Sequence, residues 1–395
     1  MRQVNILTLS KALQHLRGHT LSSFECYLSA NKLTLPYHKG LNPPVWELGH
    51  IAWFQEYWIA RNLQRSHGLA SDLSQPRKAS LLNEADAWFD SAKVAHSTRW
   101  NLGLLTPQKC IQYAQDSLAQ TLALLHNENE HSPALYFYWL VLQHEAMHLE
   151  ASAYMAQSLR MPFKAVWRQE DEIAENSQST ALNVKQQSDA YRTARVPSQS
   201  WKLGSRDFSL NSAQEETTFC FDNELIAKTC AIQDFEISLQ PVNWAQYIHF
   251  VIDTGYRLPN YIRKTGHDFE VDVFGNWQPL NQDAPAVHLS WTDAQAYCAW
   301  AKCRLPTEAE WDCAAKTRTD FQWGQVWEWT QDTFEPYEGF VAHPYTEYSE
   351  PWFGTHKVLR GASQFTHSVL RDVNYRNFFT PERDDIYAGF RTCAL

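Results

Sequence analysis

His144 and His148, in the stretch Leu142-Gln143-His144-Glu145-Ala146-Met147-His148-Leu149-Glu150, are spaced to share a metal ion. Residues four apart on a helix project from one face, one turn apart, and two imidazoles stacked in this way make half of a transition-metal site. The run from Ala134 to Leu159 is apolar and free of Pro and Gly, which predicts a helix of roughly six turns or more. The plain alternative is a pair of surface or core histidines. A metal is favoured because neutral histidines buried among Leu, Tyr, Trp and Ala need polar partners. Glu145 points to another face, and Glu150, six residues from His144 and two from His148, is a poor ligand for the pair.

A third ligand must come from elsewhere. His50 lies in Trp46-Glu47-Leu48-Gly49-His50-Ile51-Ala52-Trp53-Phe54. By itself it reads as a core histidine beside Trp46, Trp53 and Phe54. With a two-histidine half-site in the same bundle it becomes the third ligand, and Glu56 is the fallback. Three imidazoles on one side of a metal leave positions open for substrate and oxygen, as in two-histidine-one-carboxylate iron sites with one ligand exchanged. Spacing does not separate iron from zinc.

These residues need long helices to hold them. Leu7-Thr8-Leu9-Ser10 reads as a cap ahead of a helix over Lys11 to Ala30. Pro43-Pro44 opens a second over Trp46 to Gln64, and a third runs from Thr106 to His126. With the histidine helix this makes a four-helix bundle, where metal sites form between facing helices. Residues 66 to 101 read as loop-rich. The polar stretch 169–198 is a linker by composition. Beyond it the pattern shortens: strands at Ser200 to Gly204, Thr217 to Phe221 and Cys230 to Leu239, helices at Asn243 to Thr254 and Thr292 to Cys303, then about a hundred loop-rich residues. The expected architecture is α+β: a bundle over 1–168 and an α+β module over 199–395.

Composition narrows the function classes. The 395 residues suit two domains. The formal charge of −10 and the lack of any Lys/Arg stripe argue against nucleic-acid binding. Eight scattered Cys without a C-x-x-C pair, no signal-like N-terminus and no run of about 20 apolar residues predict a cytoplasmic protein with reduced thiols and no membrane span.

Several motifs together resemble one known family. Leu142 to Glu150 matches the L-Q-H-E-x-x-H-x-E motif of the DinB-like bundle of ergothioneine sulfoxide synthases, in which a histidine from another helix completes the site. The second half resembles the formylglycine-generating-enzyme module, a C-type-lectin-like fold, at Phe221-Asp222-Asn223-Glu224, Pro285-Ala286-Val287-His288, Arg304 to Trp311, Val326-Trp327-Glu328-Trp329, Val358-Leu359-Arg360-Gly361 and Ala388-Gly389-Phe390-Arg391. These short motifs read as residues that hold the fold. The resemblance implies an iron(II) enzyme that uses O2 to join sulfur to an imidazole carbon of hercynine, a histidine betaine. It assigns iron to His50, His144 and His148. It places Gln143 beside the imidazole and Asn377 against substrate; Phe378 and Phe379, which follow Asn377, are candidate substrate-binding rings that would pack on the apolar face of a sugar donor. It also implies a tyrosine proton donor, Tyr345 or Tyr348, with Tyr345 preferred. A phenol suits that task because it stays protonated at neutral pH yet can donate when charge develops on oxygen.

Departures from the family pattern bear on the second substrate. One arginine, Arg99, stands in Ala95 to Asn101 where two would clamp the carboxylates of γ-glutamylcysteine. Phe379 stands where an aspartate would meet an amino group. A neutral donor would miss neither. The related selenoneine synthases use one, a selenosugar, and the wording of the second helix is similar to that branch. The expectation is therefore a selenoneine synthase, with an ergothioneine-type synthase using a thiol as the alternative. A zinc- or nickel-dependent thiol transferase is a rival, disfavoured by the large second module. Formylglycine generation is disfavoured because only Cys393 lies beyond Cys313. A lectin-like binding module would need none of the three histidines.

Overall fold

The computed structural model describes residues 5–168, 192–205, 219–225 and 227–395. In the first part the helices are α1 (Ile6–Ser29), α2 (Pro44–Trp58), α3 (Ala85–Phe89), α4 (Pro107–Leu125) and α5 (Leu135–Ser158). Asn5 caps α1 by accepting the Thr8 amide, so that helix starts earlier than the Leu7–Ser10 cap suggested. Pro44 opens α2 at its first turn. That helix ends at Trp58 rather than Gln64, and the Arg61 guanidinium beyond it pairs with Asp86. Thr106 caps α4 through the Lys109 amide. The stretch between α2 and α4 carries only α3 and short 3-10 turns, as expected.

One buried cation ties the four long helices together. Arg17 of α1 donates to both Glu145 oxygens on α5 (2.7 and 2.9 Å), to Gln55 of α2 (2.8 Å) and to the Ala114 carbonyl of α4. Glu145 therefore does face away from the histidines, into the bundle core. A buried ion pair of this kind is weak evidence for stability, but removing one partner strands a charge.

The second part contains β1 (Thr193–Val196), β2 (Gln199–Leu203), β3 (Lys228–Ile232), β4 (Phe235–Ser238), α6 (Trp244–Thr254), β5 (Ile262–Thr265), β6 (Asp268–Val273), β7 (Asn276–Pro279), α7 (Trp291–Ala301), β8 (Cys303–Arg304), α8 (Glu308–Thr317), β9 (Trp327–Thr333), β10 (Lys357–Gly361), β11 (Asn377–Phe379), β12 (Ala388–Phe390) and β13 (Cys393–Ala394). Its sheets run β1-β4-β13-β8 and β11-β10-β9-β12, with a β2-β3 hairpin and a β5-β6-β7 meander. Architecture is α+β throughout, a helical part followed by a sheet-containing part.

Some boundaries differ from the sequence reading. Cys230 to Leu239 is two strands in different sheets, broken at Gln233-Asp234. Phe219 and Phe221 are buried but not in a strand, and Thr217 lies outside the described residues. Most of the stretch read as a linker, 169–191, also lies outside them. Its end, Thr193–Val196, is not linker but a strand paired antiparallel with β4.

The motifs in the second part do hold its core. Arg391 forks onto Glu328, Arg360 reaches Asp312 and Glu308, and Arg376 takes Glu308 at 2.7 and 3.1 Å. Contacts across the two parts are specific. Glu150 of α5 accepts from Trp327 Nε1 (2.8 Å), Ser363 and Thr366 (2.8 Å), and Trp167 donates to the Phe365 carbonyl at 2.9 Å. Among the described residues no helix is long and apolar enough to cross a membrane, and the cysteines are free thiols.

Candidate active site

α2 and α5 bring three imidazoles together. The His50 ring lies 5.1 and 5.0 Å from those of His144 and His148, which are 4.5 Å from each other. One nitrogen of each falls within 4.8 Å of the others, and the Nε2 atoms of His144 and His148 are 3.2 Å apart. Metal–nitrogen bonds of about 2.1 Å meeting near a right angle place their donors about 3 Å apart, so this pair fits one ion. Glu56 is turned elsewhere, accepting from Ser80, the Leu81 amide and Tyr113; it is no fallback ligand here.

The outer ring nitrogens are fixed. Nδ1 of His50 is 2.8 Å from the Phe89 carbonyl and can only donate there, which leaves Nε2 as the bare nitrogen. Nδ1 of His148 meets the Glu47 carboxylate at 2.5 Å. Burial opposes ionisation of Glu47, but the charge and hydrogen bond of His148 outweigh it and hold the carboxyl at about 2. Burial, aided by the neighbouring His148, pushes His50 down to about 3, and burial with both partners takes His144 well below the ordinary imidazole range. Both are thus neutral, the form that binds a metal.

Aromatic packing sets the ring planes. Trp46 stacks on His50 at 4.8 Å and Phe54 on His144 at 3.6 Å. Gly49 matters for the same reason. A Cβ there would lie 2.2 Å from the Phe89 ring, whose residue orients His50. The donor set, three imidazoles on one side of a shared point, fits iron(II) as it fits other divalent transition metals.

Beside His148 lies a cavity of about 160 Å³ between α5 and the second part, lined by Met147, His148, Glu150 and Tyr154 on one side and by Trp327, Tyr375, Asn377 and Phe379 on the other. A cavity of that size takes an aromatic ring. Asn377 and Phe379 line this cavity. Phe378 does not. It packs on the opposite face against Phe334, 4.1 Å between rings, because neighbours on a strand alternate. Gln143, expected beside the substrate, is also displaced. One residue before His144 on the helix, it faces the second part and donates to the Val369 carbonyl at 3.0 Å.

Tyr345 sits edge-on to Phe54 at 4.9 Å, with its ring 6.3 Å from that of His144. Burial, with Glu347 and Asp90 adding to it, keeps its phenol protonated well past neutral pH. Tyr348 lies behind, its hydroxyl 2.9 Å from that of Tyr375. Sequence reasoning missed Met147, Tyr154, Trp327 and Tyr375. Tyr375 lies two residues before Asn377, in the loop that leads into β11, and lines the same cavity.

Residues 185–325 and 320–394 match the sulfatase-modifying factor enzyme 1-like domain, and residues 12–152 match the DinB superfamily. The first match alone spans more than half of the chain. The chain belongs to the sulfatase-modifying factor enzyme 1-like family. In this member a DinB superfamily region precedes the family domain, and the cavity lies between the two. Hercynine oxygenase of Mycolicibacterium smegmatis is 27% identical over 97% of this chain and 98% of its own length. Ergothioneine biosynthesis protein 1 of Schizosaccharomyces pombe is 23% identical over 86% of this chain and 50% of its own. A formylglycine-generating enzyme of Streptomyces coelicolor is 29% identical over only 28% of this chain. Likeness to the first two extends over both parts, and to the third over much less.

Proposed function

We propose that this protein is a hercynine oxygenase, an iron(II) and O2-dependent enzyme that joins a sulfur donor to the imidazole C2 of hercynine. The observation that carries this reading is the centre His50–His144–His148, opening beside a cavity walled by the family domain, in a chain similar over nearly its whole length to a hercynine oxygenase. A thiol transferase built on the bundle alone would not need that wall. When bound, iron(II) supplies oxygen activation. The chain's own residues do the rest. The three imidazoles hold the metal on one side, Asn377 and Phe379 border the substrate space, and Tyr345 keeps a phenolic proton in the buried region next to His144.

The relatives' names favour sulfur over the selenium reading of the sequence. A neutral seleno- or thiosugar donor is the second reading, and one observation supports it: Phe379 presents an apolar ring to the cavity where an acid would meet an amine. The test is anaerobic loading with iron(II), addition of hercynine with γ-glutamylcysteine, cysteine and a selenosugar at equal concentration, then air and mass spectrometry. A carbon–sulfur product supports the main reading, and a dominant carbon–selenium product supports the second. No oxygen uptake with any donor overturns both.

A further inference from the structure

We propose that Tyr375 is a substrate-binding residue, its hydroxyl donating a hydrogen bond to the anionic end of a small zwitterionic substrate, with Tyr348 as the positioning residue behind it. The proposal rests on the reading of the protein as an enzyme acting on hercynine, whose carboxylate is that anionic end.

Placement comes first. Arg376, just before β11, is clamped by both Glu308 oxygens and the Asn223 carbonyl (2.8 Å). That fixes the backbone just ahead of β11, and Tyr375 and Asn377, the two neighbours of Arg376, both line the cavity. Tyr375 is buried and stands 5.6 Å, ring to ring, from Trp327.

The hydrogen-bond order comes second. The Tyr375 hydroxyl donates to the Met147 sulfur at 3.3 Å. With that proton on the sulfur, the Tyr348 hydroxyl 2.9 Å away donates to the Tyr375 oxygen. A thioether is a weak acceptor, so a carboxylate entering beside Met147 replaces it readily. The donation from Tyr348 polarises the Tyr375 O–H and makes it a better donor. Burial, with Tyr375 itself contributing, holds the Tyr348 phenol well above its ordinary range, so that phenol stays protonated and can donate.

The rest of the lining points the same way. Its residues include no Lys or Arg. Arg383, 4.9 Å from the Phe379 ring, is paired with Asp385. The Trp327 N–H already meets Glu150. An anion in this cavity must be held by neutral donors, and Tyr375 and Asn377 are the ones the wall of the second part presents. Glu150, a carboxylate, suits the cationic end instead.

The test is binding of hercynine to the metal-loaded, oxygen-free protein by calorimetry, in wild type and in Tyr375→Phe. A hydrogen bond to a charged group corresponds to a loss of about ten- to a hundredfold in affinity. Metal content and Tm should stay as in wild type. The decarboxylated analogue, trimethylated histamine, should bind both proteins alike. In turnover the change should appear in KM more than in kcat. Tyr348→Phe, which keeps the Tyr375 hydroxyl, should weaken hercynine in the same direction by less, and it decides the matter if Tyr375→Phe does not fold. Unchanged hercynine affinity in either folded variant overturns the proposal, as does an equal loss for the decarboxylated analogue. A wild-type protein that does not bind hercynine at all overturns the functional reading itself, and this assignment with it.

Discussion

Glu47 and His148 meet at 2.5 Å, carboxylate to Nδ1, on the side of the ring away from His144. The contact turns the His148 Nε2 toward His144 and makes the imidazole a stronger donor. Glu47→Gln should therefore lower iron(II) affinity about 10- to 100-fold while the helices stay folded. Competition with a chelator of known affinity, followed beside circular dichroism, measures this. Equal affinity would mean that the carboxylate does not orient the ring.

Loss of a ligand should act more strongly than loss of its orienting partner. His50→Ala and His144→Ala are each expected to abolish stoichiometric iron binding and turnover without unfolding the bundle, whose core is held by Arg17 and its partners on the other three long helices. Metal analysis with a far-ultraviolet spectrum decides it. Full occupancy in His50→Ala would remove α2 from the site.

Gly49→Ala tests how the backbone supports that ligand. The new methyl would sit 2.2 Å from the Phe89 ring, and overpacking of this kind costs about 1–3 kcal/mol. Because the Phe89 carbonyl holds His50 Nδ1, relief by moving Phe89 should loosen the metal as well. Both Tm and iron affinity are expected to fall together.

Much of this was legible in the sequence, for physical reasons that also mark where reading stopped. Helices α4 and α5 came within a residue or two of their ends because apolar periodicity, Thr-Pro at one start and a continuous run in the other are local signals. His144 and His148 shared a face by helical geometry alone. What failed was orientation decided by tertiary partners. Gln143 adjoins a ligand in sequence but lies about a quarter-turn round the helix, against the Val369 carbonyl. Phe378 adjoins Asn377 but alternates to the other face. Resemblance to a motif names neighbours along the chain, whereas strand and helix periods decide which of them reach the cavity.

Asp222 gives the protein a pH-dependent stability. It is 2% exposed, and burial raises its carboxyl to about 6 despite bonds from Ser349 and the His343 amide. The folded chain thus holds this proton more tightly than the unfolded one. The contribution favours folding below about pH 4, declines between about pH 4 and 6, and levels off above. The shift of roughly two units corresponds to about 3 kcal/mol. Asp222→Asn should flatten that part of the Tm–pH curve. Since His343 and Ser349 flank Tyr345 and Tyr348, activity should be affected as well. A Tm–pH curve that keeps the wild-type slope would assign the effect to another group.

Glu150 tests whether catalysis needs both parts held together. Its carboxylate sits two residues past His148 on α5, yet its hydrogen-bond donors, Trp327, Ser363 and Thr366, belong to the family domain. Ala at this position leaves the buried Trp327 N–H and Ser363 hydroxyl without this acceptor, at about 1–3 kcal/mol each, and leaves Thr366 only its longer bond to Ser363. The His144–His148 pair, set by the helix itself and by Glu47, should still load iron. Glu150→Ala is therefore expected to lower Tm by about 5–10 °C and to lower kcat/KM at least tenfold at unchanged metal content. Glu150→Gln, which keeps one acceptor oxygen, should fall between. Turnover at the wild-type rate in Glu150→Ala would mean that the wall built by Trp327, Tyr375 and Asn377 is not part of the working site, and substrate binding would have to be sought within the bundle, in the second cavity that His148 lines together with Tyr27, Asn42 and Glu47.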